Sequence, residues 1–209
     1  IKPGEPRSVT VTVEKDSMSL WDVVANRFIF EAGRYEFMIG KSSKDILWRK
    51  TVAIEGDTIG TLDLAEKINV WSHAYGSCGT TAAEVSKHRT SEFAGNYYAV
   101  KSNAALSYVI LPNVKFDGLS KLTIGVGLAE GEGSIAIYAG ERTGEALCSF
   151  LIRPTGVHRY LLDGNSDLPV TELAYTEQTA DILLKQSGTR DMYIVFHGTG
   201  LCIDYITAR

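Results

Sequence analysis

Glu130, Glu132 and Glu141 are the carboxylates whose spacing comes closest to acid–base chemistry. Two carboxyl groups flanking one cleft could protonate and displace a glycosidic oxygen. These three sit in Gly-rich turns, where a solvated charge is the simpler reading. Gly125 and Gly127 make a Gly-x-Gly pair, but a phosphate loop also needs a third glycine and a strand-to-helix setting. No Ser, His and Asp spacing points to a nucleophile triad. Cys78, Cys148 and Cys202 stand at no metal-like spacing, and an odd number leaves at least one free thiol in a monomer. Buried small side chains are the first reading for them, with one disulfide as the alternative. Function has to be argued from a site, and no catalytic site is visible, so the chain is expected not to be an enzyme by itself.

The elements that would position any site are strands. Short apolar runs alternate with turn residues along nearly all of the 209 residues, and no window keeps a helical period for twelve residues. Strands are expected at Ser8–Val13, Phe28–Phe30, Tyr35–Ile39, Ile46–Ile54, Ser107–Leu111 and Leu119–Val126. More are expected at Ser134–Ala139, Ala146–Ile152, Ile182–Leu184, Met192–Phe196 and Leu201–Thr207. Leu62–Lys67 is the one candidate helical turn. Runs about ten residues apart with Gly-rich turns indicate an all-β chain built as a β-sandwich or jelly roll.

Turn residues Glu55, Gly56 and Asp57 mark a boundary, giving expected units of 1–56 and 57–209. The three tryptophans (Trp21, Trp48, Trp71) fall toward the first unit, whereas nine of ten tyrosines follow residue 70, which suggests separate cores. The first unit offers only three or four strands and is expected not to fold alone. Another chain, residues 60–209 or a missing N-terminal part would have to complete it.

The net charge of −4 and the lack of a basic stripe make nucleic acid and anionic membranes poor partners. No run of about 18 apolar residues is present. The chain starts at Ile1 without a secretory signal pattern, as a processed chain or a fragment would.

Several motifs add a resemblance. Lys2-Pro3-Gly4-Glu5, Leu20-Trp21-Asp22, Phe30-Glu31-Ala32-Gly33-Arg34-Tyr35 and Ile39-Gly40-Lys41-Ser42-Ser43-Lys44-Asp45-Ile46 stand in one order over residues 1–50. Together they resemble the second half of the fibronectin type III-like domain that ends many family-three glycoside hydrolases, with Ala32 in place of a proline. The catalytic carboxylates of that family belong to domains upstream. From about residue 60 the chain resembles family-six carbohydrate-binding modules, which are β-jelly rolls. The residues are Ser107-Tyr108 with Val114 and Phe116, then Ser134-Ile135-Ala136-Ile137-Tyr138 with Thr143-Gly144-Glu145. Gly188 through Gly198, containing Asp191-Met192-Tyr193, and Ile203-Asp204-Tyr205 carry the most specific part.

This resemblance implies a non-catalytic module that binds a β-glucan or xylan-type polysaccharide or oligosaccharide beside the catalytic domains of a β-glucosidase-like parent. Aromatic faces would cover the C–H patch of a sugar ring, and amides or carboxylates would meet its hydroxyls. Tyr97 and Tyr98 stand where the first aromatic is expected. Neighbours on a strand face opposite ways, and the ten-residue spacing to Tyr108 favours Tyr98, with Tyr108 as a packed core ring. For the second aromatic the choices are His158, behind Thr155-Gly156, and Tyr175. Asn103 lies in the segment matching a Gly-Asp-Trp motif, and Cys202 replaces an asparagine. The family's structural calcium would fall to Glu84 and Asp204, with His73 where a further glutamate is expected. The alternative is a jelly roll that has lost its sugar site and packs against catalytic domains or a second subunit. The resemblance also implies a secreted or cell-surface protein, with the cytoplasm left open.

Overall fold

The computed structural model describes residues 4–5, 8–85, 98–161 and 169–209. The chain divides into two compact units, 1–60 and 61–209. The first holds a 3-10 turn (Lys15–Met18) and four strands: β1 (Leu20–Asp22), β2 (Arg27–Ile29), β3 (Gly33–Ser42) and β4 (Asp45–Ile54). They pair as two separate antiparallel hairpins, β1 with β2 and β3 with β4. Asp22 fastens the tip of the first: its carboxylate accepts the N–H groups of Val24 (2.9 Å), Ala25 (3.1 Å) and Gly60 (2.9 Å). Burial alone would raise its pKa, but these bonds outweigh it and hold the carboxyl below the usual range.

The second unit begins with β5 (Ile68–Asn69), a single helical turn α1 (Val70–His73), β6 (Gly76–Cys78), β7 (Thr80–Glu84) and β8 (Tyr98–Ser102). β9 (Leu106–Lys115), β10 (Lys121–Gly127), β11 (Gly133–Ala139) and β12 (Cys148–Ile152) follow. β13 (Val157–Leu161), β14 (Pro169–Leu173), β15 (Thr176–Asp181), β16 (Thr189–His197) and β17 (Cys202–Ala208) complete it. One sheet has the order β15-β10-β17-β8-β7, with β5 also on β17; the other is β12-β11-β16-β9-β6. β13 and β14 form a hairpin of their own.

The core lies between the two large sheets, and strand alternation fills it. Ile135 and Ile137 from β11, Met192, Ile194 and Phe196 from β16, and Ile124, Ile203 and Ile206 from the facing sheet are fully buried. This is the all-β jelly roll that the apolar runs predict.

Local differences from the sequence reading have physical reasons. Ser8–Val13 alternates correctly but pairs with no strand among the described residues, and Val9 and Val11 remain largely exposed. Alternation alone supplies no ladder partner. Leu62–Lys67 holds a β-bridge from Leu62 to Val114 and a turn, not a helix; the helical turn comes later, at Val70–His73, where Asn69 caps it. Ile182–Leu184 lies just past the end of β15. Trp71 belongs to the second unit, so the division of aromatics between units is not clean. Tyr108 is not a core ring: on β9 the inward positions are Ser107, Val109 and Leu111. Tyr108 faces outward, half-buried, against Tyr193 (6.2 Å between ring centroids) and beneath the Arg142 guanidinium (4.3 Å).

Candidate functional site

An aromatic cluster stands at the margin of the sandwich where β6, β7 and β8 meet α1. β6 lies on the edge of one sheet, Gly79 turns the chain at φ +68°, and β7 continues on the edge of the other. That crossing leaves a cleft of about 200 Å³, floored by the core residues Val100 and Val109. Trp71 and Tyr75 wall it, and the hydroxyl-bearing Ser77 and Thr80 line its mouth. Tyr98 opens β8 on the same strand face as Val100, so its ring extends past the core toward Trp71. The Trp71 and Tyr98 rings are 6.3 Å apart and tilted by 45°. Trp71 (41% exposed), Tyr75 (66%) and Tyr98 (47%) are the exposed aromatics of the second unit among the described residues. Three rings left open together make this margin the candidate contact surface of the second unit.

The opposite end of β8 is built differently. Asn103 donates its backbone N–H to the Gly79 carbonyl (2.8 Å) and its side-chain amide to the Thr81 hydroxyl (3.0 Å), which commits the amide to closing a turn. Tyr175, half-buried between β14 and β15, hydrogen-bonds to Cys202 at the start of β17. Burial pushes the Cys202 thiol pKa up, against smaller lowering effects of the Tyr175 hydroxyl and of nearby Lys101. Thr155 and Gly156 are tied in here as well: the Thr155 hydroxyl accepts the Leu128 N–H (3.0 Å), and the Gly156 carbonyl accepts that of Ala174 (3.0 Å). His158 is exposed on β13, opposite Glu172.

The residues singled out from sequence therefore separate. Tyr175, Cys202 and the Thr155–His158 segment gather at one end, with Asn103 at the nearby turn after β8. Tyr98 lies five strand positions from Asn103, roughly 16 Å along an extended chain. Tyr97 lies outside the described residues. Trp71 and Tyr75 were not picked out from sequence. Their four-residue spacing immediately after Asn69, a capping residue type, was the available signal.

The proposed metal residues do not fit calcium. Glu84 is exposed at the end of β7, opposite Tyr98, whereas Asp204 is buried on β17 with its carboxylate accepting the Asn69 amide (3.0 Å). His73 turns Nδ1 to the Asn69 carbonyl (2.9 Å) and the Ser72 hydroxyl (3.0 Å). Calcium takes six to eight oxygens, and no group of three or more His, Cys, Asp or Glu among the described residues is placed to hold a metal. Glu130, Glu132 and Glu141 are all exposed. All three cysteines are free thiols, Cys148 and Cys202 buried and Cys78 exposed; burial pushes Cys148 up to about 12. No helix among the described residues is long and apolar enough to cross a membrane.

Comparison with known proteins agrees with this architecture. Residues 1–43 match the fibronectin type III-like domain family. An exo-α-(1→6)-L-arabinopyranosidase of Bifidobacterium breve is 37% identical over 57 residues, covering 27% of this chain and 8% of the relative. A probable β-glucosidase H of Aspergillus clavatus is 34% identical over 61 residues, covering 29% and 7%. The chain thus spans less than a tenth of the length of these curated relatives. Among solved structures, a family 6 carbohydrate-binding module of Clostridium cellulolyticum, in complex with xylose, superposes with a TM-score of 0.54 at 20% identity, covering 71% of this chain and 99% of that one. A family 6 module of Clostridium stercorarium, in complex with cellobiose, gives 0.53 at 18% identity, covering 71% and 96%. The chain therefore pairs a fibronectin type III-like segment, shared with glycoside hydrolases, with a jelly roll of the family 6 carbohydrate-binding-module fold.

Proposed function

We propose that this chain is a non-catalytic carbohydrate-binding part of a glycoside hydrolase and holds a β-glucan or xylan-type chain against Trp71, Tyr75 and Tyr98. The observation that carries the reading is the exposure of Trp71 and Tyr75 on one cleft, with the exposed Tyr98 ring beside Trp71. A pyranose ring presents a C–H face that an aromatic ring can cover, and the Ser77 and Thr80 hydroxyls offer hydrogen bonds to its rim. The modules of like fold that were crystallised with xylose and cellobiose, and the glycosidase relatives, point to the same ligand class. In this reading residues 1–56 are the end of a fibronectin type III-like unit and residues 57–209 the binding module, carried outside the cell with the parent enzyme. Tyr97, Tyr175, His158 and Asn103 would contribute at most a second contact.

A structural role is the second reading. It is favoured by one observation: at the other end of β8 the Asn103 amide and the Cys202 thiol are both engaged inside the protein. Affinity electrophoresis of the whole chain through gels containing soluble glucans and xylans decides between them. Retardation by at least one polysaccharide, lost in Tyr98→Ala, supports binding. Unretarded migration through every gel leaves the structural reading.

A further inference from the structure

Asn69 is buried, with 1% of its surface exposed, and so is Asp204, with 7%. The orientation of the Asn69 amide is fixed by its neighbours. Its Oδ1 accepts the backbone N–H of Ser72 (3.0 Å), a group that can only donate. The Ser72 hydroxyl reaches the same oxygen (3.1 Å). The nitrogen must then point the other way, and there it meets three oxygens: Oδ1 of Asp204 (3.0 Å), the Asp204 carbonyl (3.2 Å) and the Tyr98 carbonyl (3.1 Å).

One carboxylate oxygen and two main-chain carbonyls converging on a point are the donors a hard cation selects. Here the point is occupied by an NH₂ group whose two protons are shared among the three acceptors. We infer that the Asn69 side-chain amide takes the place of a structural divalent cation in this module, so that the fold is held without metal. The node ties three strands together: Asn69 ends β5, Asp204 lies in β17 and Tyr98 starts β8. It therefore also fixes the main chain that carries the Tyr98 ring. The inference does not depend on sugar binding, and its test involves no sugar.

The sharp variant is Asn69→Asp, nearly the same shape, which removes the two donor protons and places a second carboxylate among the three oxygens. Thermal unfolding of the whole chain is followed in excess EDTA and in millimolar calcium chloride. The wild-type curves should coincide, because a native-state ligand raises the melting temperature by mass action and none is required here. Asn69→Asp should melt lower by about 5 °C or more in EDTA, since buried hydrogen bonds are lost and like charges face each other. Calcium should restore most of that loss. A wild type that melts earlier in EDTA, or later in calcium, overturns the inference. So does an Asn69→Asp protein that calcium does not rescue. Should Asn69→Asp not fold, calorimetric titration of the wild type with calcium decides alone: no binding heat supports the amide, and saturable binding overturns it.

Discussion

The two ends of β8 use polar and aromatic side chains in opposite ways. At its start, Tyr98, Trp71 and Tyr75 keep their rings open to solvent while the polar groups beneath them, Asn69 and Asp204, are buried and bonded to each other. At its finish, Tyr175 bonds to Cys202 and Asn103 bonds to Thr81, so both are engaged inside the protein. A stacking surface needs rings that solvent reaches before the ligand arrives. The difference teaches that position in a sequence motif does not make a contact residue; availability does. At the first end three aromatic rings have it; at the other, Tyr175 and Asn103 are engaged inside the protein.

The largest expected effect tests that contrast directly. Each stacked ring should contribute on the order of 1–2 kcal/mol to glycan binding. Trp71→Ala and Tyr98→Ala should each weaken affinity about tenfold, and the double variant about a hundredfold. Tyr175→Ala and His158→Ala should change it less than twofold. Isothermal titration with the oligosaccharide of whichever polysaccharide retards the chain reads all four. A tenfold loss in Tyr175→Ala, with Trp71→Ala unaffected, would move the site to the other end.

How much of this was legible in the sequence depends on the range of the interactions. The jelly roll was, because alternation such as Met192, Ile194 and Phe196 is local and each strand reports its own buried face. The aromatic margin was not. It exists because β6 and β7, separated by Gly79 alone, sit on different sheets, and strand composition does not encode that switch. Tyr108 shows the size of the error that results. A tyrosine beside a buried serine was assigned inward, and a shift of one residue exchanges the two faces. Tyr98 stays exposed because it opens its strand beyond the end of the core, so that its inward direction leads to solvent. In the first unit the strands at Phe28–Phe30, Tyr35–Ile39 and Ile46–Ile54 were legible but their pairing was not, and the alternation at Ser8–Val13 has no ladder partner among the described residues.

β17 connects the two ends, with Cys202 at one and Asp204 at the other, and its coupling can be probed at the next residue, Tyr205. The Tyr205 ring lies flat on Gly125 of β10, so a Cβ at Gly125 would penetrate the ring's van der Waals surface. Gly125→Ala should displace Tyr205 and cost about 1–3 kcal/mol, as overpacking does. Urea denaturation should show the lower midpoint. If glycan affinity is unchanged, the open margin is independent of this part of the sheet; a parallel loss would mean that the strand transmits strain to Asp204 and Tyr98.

A smaller effect should appear in alkali. Burial first, then its hydrogen bond to Glu177, pushes the Tyr205 phenol up to about 12, opposed by Lys67 beside it. The folded state thus favours the protonated ring. That contribution is complete below the unfolded value of about 10 and is lost as pH rises toward the folded value. Stability measured between pH 9 and pH 12 should fall more steeply for wild type than for Tyr205→Phe. Equal slopes would show that Tyr205 titrates normally. Glycan retardation at pH 9 should match that at pH 7 if no group of the open margin titrates between them.

The smallest effect is expected at Ser107, near the closed end. Its side chain is buried at 1% exposure on the inner face of β9, and its hydroxyl has no hydrogen-bond partner among the described residues. A buried hydroxyl without a partner gives up its bonds to water and gains nothing in return. Space around it is limited: a Cβ added at Gly79 would come within 3.0 Å of the Ser107 Cβ and 3.2 Å of the Ala104 Cβ. Ser107→Ala removes the unsatisfied oxygen and fits the same space. It should therefore raise stability by about 0.5–1 kcal/mol, seen as a higher urea midpoint at unchanged slope. A lower midpoint would show that the hydroxyl is satisfied after all, by a water held under the turn at Asn103. Glycan affinity separates the two regions once more. If binding belongs to Trp71, Tyr75 and Tyr98, Ser107→Ala leaves it untouched, whereas any change in affinity would place part of the contact surface at the closed end.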